Sequence, residues 1–310
     1  MNQYKPEGML IKEYRNQEYI CTKRGLEKAL EDGAIVEAVA VLCDHSFNLH
    51  VCLGERIQGI IPRDEVEYTK SNETKDIAIL TRVGKPVCFK VRGFEMRGDK
   101  TVAILSRRDA QEECFQSYIK ALIPGDIIPS KITHLENFGA FVDIGCGIIS
   151  LLSIDSISVS RISHPSERLR VGDYLYTVVK DIDERGRIFV SERELLGSWL
   201  ENASLFREGE TVSGIIRSVE DYGVFVELKP NLAGLAEYRS DVFVGQSAAV
   251  YIKSIIPEKM KIKLIIISTS DVSDEPEPLE YFIDTDKICH LDSWVYSPPS
   301  SRRTIETLFN

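Results

Sequence analysis

The chain has 310 residues, 43% hydrophobic and 28% charged, with 48 acidic against 38 basic side chains. This is globular composition, long enough for two or three ordinary domains or for more small ones, and it excludes a disordered chain. The longest apolar runs, such as IKLIII ending at Ile267, are far too short to span a bilayer. MNQYKPEGML shows no basic start followed by an apolar stretch, so a cytoplasmic protein without membrane contact is expected.

Residues 1–32 read as an N-terminal extension whose TKRGLEKALEDG stretch is a short amphipathic helix. A repeat begins at Gly33. GAIVEAVAVLCDHSFNLHVCLG (33–54), GDIIPSKITHLENFGAFVDIG (125–145) and GETVSGIIRSVEDYGVFVELK (209–229) share one pattern. Each begins with a glycine and an alternating apolar strand. The last two then run acidic residue, aromatic, Gly, small apolar residue, Phe, Val, acidic residue. Phe138 and Phe141 thus correspond to Tyr222 and Phe225; in the first copy Phe47 and His50 take the ring positions, and Asn48 replaces the glycine.

A second short strand follows in each copy, as RIQGIIP (56–62), GIISLLS (147–153) and LAGLAE (232–237). A connection ending at Gly84, Gly172 or Gly245 comes next, then two more strand-like runs. In the middle copy these are YLYTVVKDID and RIFVSER, joined at Glu184-Arg185-Gly186. The pattern defines units at 33–108, 124–193 and 208–270. Five short strands in so few residues leave open edges unless the sheet closes on itself. The expected fold is mainly β, three tandem five-stranded oligonucleotide-binding (OB-fold) barrels joined by short helices.

The helical linkers are DAQEECFQSYIKAL (109–122) and ELLGSWLENASLF (194–206). In the third unit the connection from Gly234 to Gly245 is half the length of its counterparts. The C-terminal stretch, an acidic Pro-containing spacer (DVSDEPEPLE) and then a segment rich in aromatic side chains, is expected to fold back and complete that barrel, the alternative being an exposed partner-binding tail. Residues 271–310 hold nine acids and three bases, more than half of the chain's negative balance.

Two exposed rings on a barrel face form a platform on which unpaired bases stack. Phe138 and Phe141 are three apart, so a regular strand would send them to opposite faces, and Gly139 permits the irregularity that brings them together. Phosphates need cations nearby. The candidates are Lys131 before the platform, Arg185 and Arg187 in the closing turn, and Lys259, Lys261 and Lys263 in the third unit. The seven cysteines are scattered and make no short zinc or redox pair; nothing completes a metal site around Cys289 and His290. No phosphate loop or nucleophile elbow occurs, and the carboxylates Asp181, Asp183 and Glu184 read as a charged turn. The expectation is a non-catalytic protein with no cofactor, no metal and no small-molecule substrate.

The middle unit, through GDIIPSKITHLENFGAFVDIG and VGDYLYTVVKDIDERGRIFVSER, resembles the RNA-binding repeat of the bacterial ribosomal protein S1 family. The third unit is similar to a shortened copy, and the first, with GAIVEAVAVL and GERIQGIIPRDE, to the family's N-terminal, ribosome-attaching repeats. The resemblance covers about 33–270 and implies an RNA face of two aromatics, a histidine, an aspartate and an arginine. Here these positions hold Phe138, Phe141, Ser153, Asp183 and Arg187, so the histidine is missing. In the third unit they hold Tyr222, Phe225, Glu237, Pro257 and Lys261, and in the first Pro62 takes the histidine place. The implied partners are single-stranded mRNA and the small ribosomal subunit. The alternatives are an RNA-binding regulator of decay or translation away from the ribosome, and a protein-interaction scaffold, which the net acidity favours.

Overall fold

The computed structural model describes residues 4–54, 57–69, 74–98, 100–271 and 279–309. Arg56, at the head of one expected strand, and residues 272–278 of the acidic spacer lie outside them. The protein is mainly β. Among the described residues, three five-stranded sheets close into barrels and two further strands pair as a sheet of their own. The chain divides into two compact units, one of 1–122 with 129–131 and 143–149, the other of 123–128, 132–142 and 150–310.

The first unit opens with α1 (Tyr14–Ile20) and α2 (Lys23–Glu31). Thr22 caps α2 by accepting from the Gly25 N–H at 3.0 Å, and Leu26 and Ala29 are its buried face. The first barrel follows: β1 (Val36–Cys43), β2 (Leu49–Cys52), β3 (Gln58–Ile61), then α3 (Asp76–Leu80), β4 (Pro86–Arg97) and β5 (Lys100–Ser106). The first three strands form a meander; β5 joins β3 in parallel and β4 antiparallel, and β4 closes on β1. Alternate residues Val36, Ala38 and Ala40 of β1 point inward onto Leu49, Val87, Phe89 and Leu105. After the barrel comes α4 (Arg107–Ser117). The expected linker helix to residue 122 stops there: Tyr118 leaves helical geometry and a separate 3-10 turn at Ile119–Ala121 buries Ile119.

Before α1, the carboxylate of Glu7 is buried against Arg107, with Nε–Oε1 at 2.6 Å and Nη2–Oε2 at 3.1 Å. It also accepts from the Cys88 N–H at 3.1 Å and reaches Arg82 at 3.3 Å. The N-terminal extension is therefore pinned by a polar network as well as by its helices.

The second barrel comprises β6 (Ile127–Glu136), β7 (Gly139–Asp143), β8 (Ile149–Ser153), β9 (Tyr174–Ile182) and β10 (Ile188–Ser191), in the spatial order β10-β8-β7-β6-β9. The long connection from β8 to β9 carries Ile157 and Leu169 into the interior. The second linker is broken at Gly197 (φ +80) into a 3-10 turn, Arg193–Leu196, and α5 (Trp199–Ala203). A Cβ at Gly197 would stand 2.6 Å from the Phe282 ring, which takes the space. Ser198 and Glu201 form a reciprocal capping box for α5.

The third barrel, of β11 (Thr211–Glu220), β12 (Gly223–Lys229), β13 (Leu232–Ala236), β14 (Ser247–Ile256) and β15 (Lys261–Ser270), repeats the same order. The C-terminal stretch folds back, its β16 (Ser293–Val295) and β17 (Glu306–Leu308) forming a hairpin. Trp294, Tyr296 and Phe309 are buried in one cluster with Trp199 of α5 and with Val224, Val226 and Ile262 of the third barrel. The Tyr296 hydroxyl donates to the Asn231 carbonyl at 2.7 Å. The stretch also meets the second barrel. Leu291 N–H donates to the Gly125 carbonyl at 2.9 Å, Ile127 N–H to the Cys289 carbonyl at 2.8 Å, and His290 Nδ1 lies 2.8 Å from Asp126 Oδ1. The stretch thus packs on the third barrel, as expected, and reaches the start of the second as well.

Candidate nucleic-acid interface

On β7, Ala140 and Val142 are fully buried while Phe141 between them is only half-buried, so period-two alternation turns its ring outward. Phe138 sits in the turn before β7 with 54% of its surface exposed. The two ring centroids are 6.0 Å apart and perpendicular, 89° between planes. Gly139 allows this because the β8 backbone passes against it: a Cβ there would fall 2.4 Å from the Leu152 carbonyl oxygen. The Ile154 N–H donates to the Phe138 carbonyl at 2.9 Å and ties the end of β8 to the platform.

A third ring extends the array. His134 of β6 is exposed and stacks on Phe141, 6.4 Å away and 21° from parallel, while its Nε2 lies 2.8 Å from Glu136 Oε1. Thr133 Oγ1 donates to the Phe141 carbonyl at 3.0 Å, fixing β6 beside β7. The resemblance puts a histidine at the Ser153 position; the imidazole beside Phe141 is that of His134, on the neighbouring strand. The signal was present, an aromatic polar side chain just beyond the last inward Ile132 of β6, but strand pairing was needed to place it by Phe141.

On the other flank, β8 separates β7 from β10, with Leu151 opposite Phe189. The turn from β9 to β10 is organised by Asp183. Its Oδ1 accepts from the backbone N–H groups of Arg185 and Arg187 at 2.9 Å, and its Oδ2 accepts from Arg187 Nε at 2.7 Å. Those bonds, the Arg187 N–H first, hold the Asp183 carboxyl below its usual range. The exposed guanidinium of Arg187 lies 6.0 Å from the Phe189 ring centroid. Arg185 is exposed and makes no ion pair among the described residues.

Ser153 donates to Ser156 Oγ at 2.9 Å, and Ser156 in turn accepts from Lys180 Nζ at 2.9 Å. Lys180, which sequence reasoning passed over, thus brings a cation next to the Ser153 position. Lys131 does not join this group: its ammonium donates to the Glu7 carbonyl at 2.6 Å. The face therefore offers three rings, with Arg185 and Arg187 on one flank and Lys180 beside Ser153.

The third barrel repeats the ring geometry. Tyr222 is 70% exposed, and its centroid stands 6.1 Å from Phe225 at 86°. Gly223 has the same cause as Gly139, a Cβ there falling 2.5 Å from the Ala236 carbonyl. Ser218, paired with Phe225, takes the place of His134. Lys261 and Lys263 are exposed on β15, and Glu237 stands exposed just beyond β13. The first barrel is different. The Arg63 guanidinium covers the Phe47 ring at 4.9 Å, and His50 Nε2 is engaged by Asp44 Oδ2 at 3.1 Å. Its ring positions are filled from within.

Among the described residues no group of three or more His, Cys, Asp or Glu is placed to hold a metal ion, and no helix is long and apolar enough to cross a membrane.

Residues 122–193 match the S1 RNA binding domain family. The small ribosomal subunit protein bS1 of Mycobacterium tuberculosis is 28% identical over 243 residues, covering 73% of this chain and 49% of that protein. The bS1 of Mycolicibacterium smegmatis is 26% identical over 294 residues, 89% of this chain and 59% of that one. The chain spans about half the length of these curated relatives. A Streptococcus pneumoniae multidomain protein with nucleic acid binding domains is 15% identical over 78% of this chain and 75% of that one, at a TM-score of 0.24 that carries no weight here. Residues 122–193 are thus an S1 RNA-binding domain, in a chain similar over most of its length to the bS1 ribosomal proteins of several bacteria.

Proposed function

We propose that the protein is a non-catalytic, cytoplasmic single-stranded RNA-binding protein that acts in translation, holding mRNA at the small ribosomal subunit mainly through the second barrel. One observation carries this reading: the outward-facing array of exposed His134 and Phe138 with half-buried Phe141, and Arg187 and Arg185 on one flank. Every base has a face that can stack on such rings, at about 1–3 kcal/mol each, and the flanking guanidinium groups suit phosphate oxygens. Asp183 acts as a positioning residue by fixing the turn that carries Arg187. Ribosome attachment is assigned to the first barrel by its likeness to the attaching repeats and by its internally occupied ring positions.

The test is titration of the full chain with a fluorescein-labelled, unstructured 20-nucleotide RNA at several salt concentrations. Binding that strengthens as salt falls, and that exceeds binding to a duplex of the same sequence, is expected. Equal binding to both forms, or none, overturns the reading. Cosedimentation with washed small subunits distinguishes the ribosomal role from that of a free RNA regulator. Persistent association is expected; loss in the wash supports the free regulator.

A further inference from the structure

The third barrel lacks three features that equip the second. Glu237 stands where the family places a histidine, Pro257 where it places an aspartate, and Ser218 where the second barrel has His134. Without the aspartate, no carboxylate orients a cation in the β14–β15 connection, which is a 3-10 turn, Pro257–Lys259, ended by Met260 in the left-handed region (φ +48). Yet the ring pair is kept at the same spacing and angle as in the second barrel.

Beside Phe225 runs a groove of about 730 Å³. That lies within the roughly 300–1,000 Å³ range of sites that enclose a small ligand. One wall is Lys259, Met260 and Lys261 of the barrel. The other is the loop that joins β16 to β17, which contributes Arg302 and Arg303. Glu258 is the one carboxylate among the described lining residues, against four cations. Neither arginine guanidinium and neither lysine ammonium makes an ion pair among the described residues. All four are exposed.

The loop is held in shape. The Ser301 N–H donates to the Pro298 carbonyl at 2.9 Å, the Arg303 N–H to Ser301 Oγ at 3.2 Å, and Ser301 Oγ to the Arg303 carbonyl at 3.0 Å. At its base the Ile305 N–H donates to Ser297 Oγ at 2.8 Å, and the Tyr296 N–H to the Ile305 carbonyl at 2.9 Å. Trp294 and Tyr296, buried on α5 and the third barrel, anchor the whole hairpin. Two guanidinium groups on a braced loop and two ammonium groups of the barrel, none in an ion pair among the described residues, line one groove with the half-buried Phe225 ring, a set suited to a polyanion whose bases stack.

We propose that the C-terminal loop completes a second single-stranded RNA site on the third barrel, Arg302 and Arg303 with Lys259 and Lys261 holding phosphates while Tyr222 and Phe225 stack bases. The ligand class follows from the single-stranded RNA reading of the second barrel, but the residues and the test are separate. The net charge of the C-terminal stretch conceals this role. Residues 271–310 sum to an acidic balance, while two of their three basic residues stand side by side at the groove.

The experiment uses the full chain and the labelled 20-nucleotide RNA in two backgrounds, native and F138A/F141A. In each, R302A/R303A is compared with its parent. A loss of affinity of about fivefold or more is expected, with the log–log salt dependence flattened by about 1.4, the value for two single-strand phosphate contacts. R302K/R303K, which keeps the charge, should recover most of both, and the melting temperature should not move. Unchanged affinity and salt dependence in both backgrounds overturns the proposal. A change in melting temperature without recovery by the lysine variant also overturns it, because the arginines would then be structural. The two sites fail independently: F138A/F141A without effect beside a loss in R302A/R303A rejects the second-barrel site alone.

Discussion

Gly139 and Gly223 occupy the same place in two barrels and are required for the same reason. A neighbouring strand's carbonyl approaches so closely that a methyl group at Gly139 would collide with the Leu152 oxygen and one at Gly223 with the Ala236 oxygen. The repeat makes this recurrence visible in sequence, but the expected cause, a bulge that frees the rings, is incomplete: the strand crossing behind the glycine sets the demand. Gly139→Ala should cost about 1–3 kcal/mol, because backbone, which cannot turn aside as a side chain does, must shift. Thermal unfolding of the variant measures it, and an unaltered midpoint would show that the strands separate freely. Lys131 teaches the converse. A basic side chain one strand ahead of an aromatic pair reads as a phosphate contact, yet its ammonium is committed to the Glu7 carbonyl. Glu7 lies in a segment with no repeat pattern to mark it, so no spacing rule could have found that bond.

At the scale of elements, the repeat made the three barrels legible, since alternation and closing glycines recur in each unit. The linkers were less so. Helical spacing through DAQEECFQSYIKAL and ELLGSWLENASLF suggested continuous helices, but Tyr118 and Gly197 interrupt both, one where Ile119 turns inward and one where the Phe282 ring occupies the site of a side chain. His134 depended on strand pairing, which single-strand periodicity does not supply. The aromatic C-terminal hairpin was legible as a docking element because exposed tails rarely carry such side chains, though its contacts with Asp126 and Gly125 of the second barrel were not. Trp294 is 92% buried, so Trp294→Ala should remove about 3–5 kcal/mol by the usual cost of emptying an aromatic site. Chemical denaturation reads that loss; a variant as stable as the native chain would mean that the hairpin is only loosely attached.

Across the whole molecule, buried carboxyls make stability depend on pH. In the first unit Glu7 is held at about 2: burial works against ionisation, but the charges of Arg107 and Arg82 outweigh it. Glu37 is pushed to about 8 by burial and then by the Glu7 charge, and Asp143 to about 6 by the same two causes. In the second unit burial raises Glu192 to about 8, where it meets the Tyr281 hydroxyl at 3.2 Å. For a raised carboxyl the folded state holds its proton longer than the unfolded chain. Its contribution is full below the ordinary value near 4.5 and is lost as pH climbs toward 8. Glu7 has the opposite sign, contributing above 4.5 and losing that contribution as pH falls toward 2. Stability should therefore peak near pH 5 and decline to pH 8, and Glu37→Gln should flatten the decline. Urea midpoints at pH 5, 6.5 and 8 test this; a midpoint that rises across the range contradicts it.

RNA binding is assigned above all to the outward-facing rings of the second barrel. The most direct test of that assignment is the affinity of Phe138→Ala/Phe141→Ala for single-stranded RNA, measured against the native chain at one salt concentration, with circular dichroism to verify the fold. Two lost stacks at about 1–3 kcal/mol each predict a drop of roughly 30-fold or more. Native affinity in a folded double variant would contradict the assignment of RNA binding to this face.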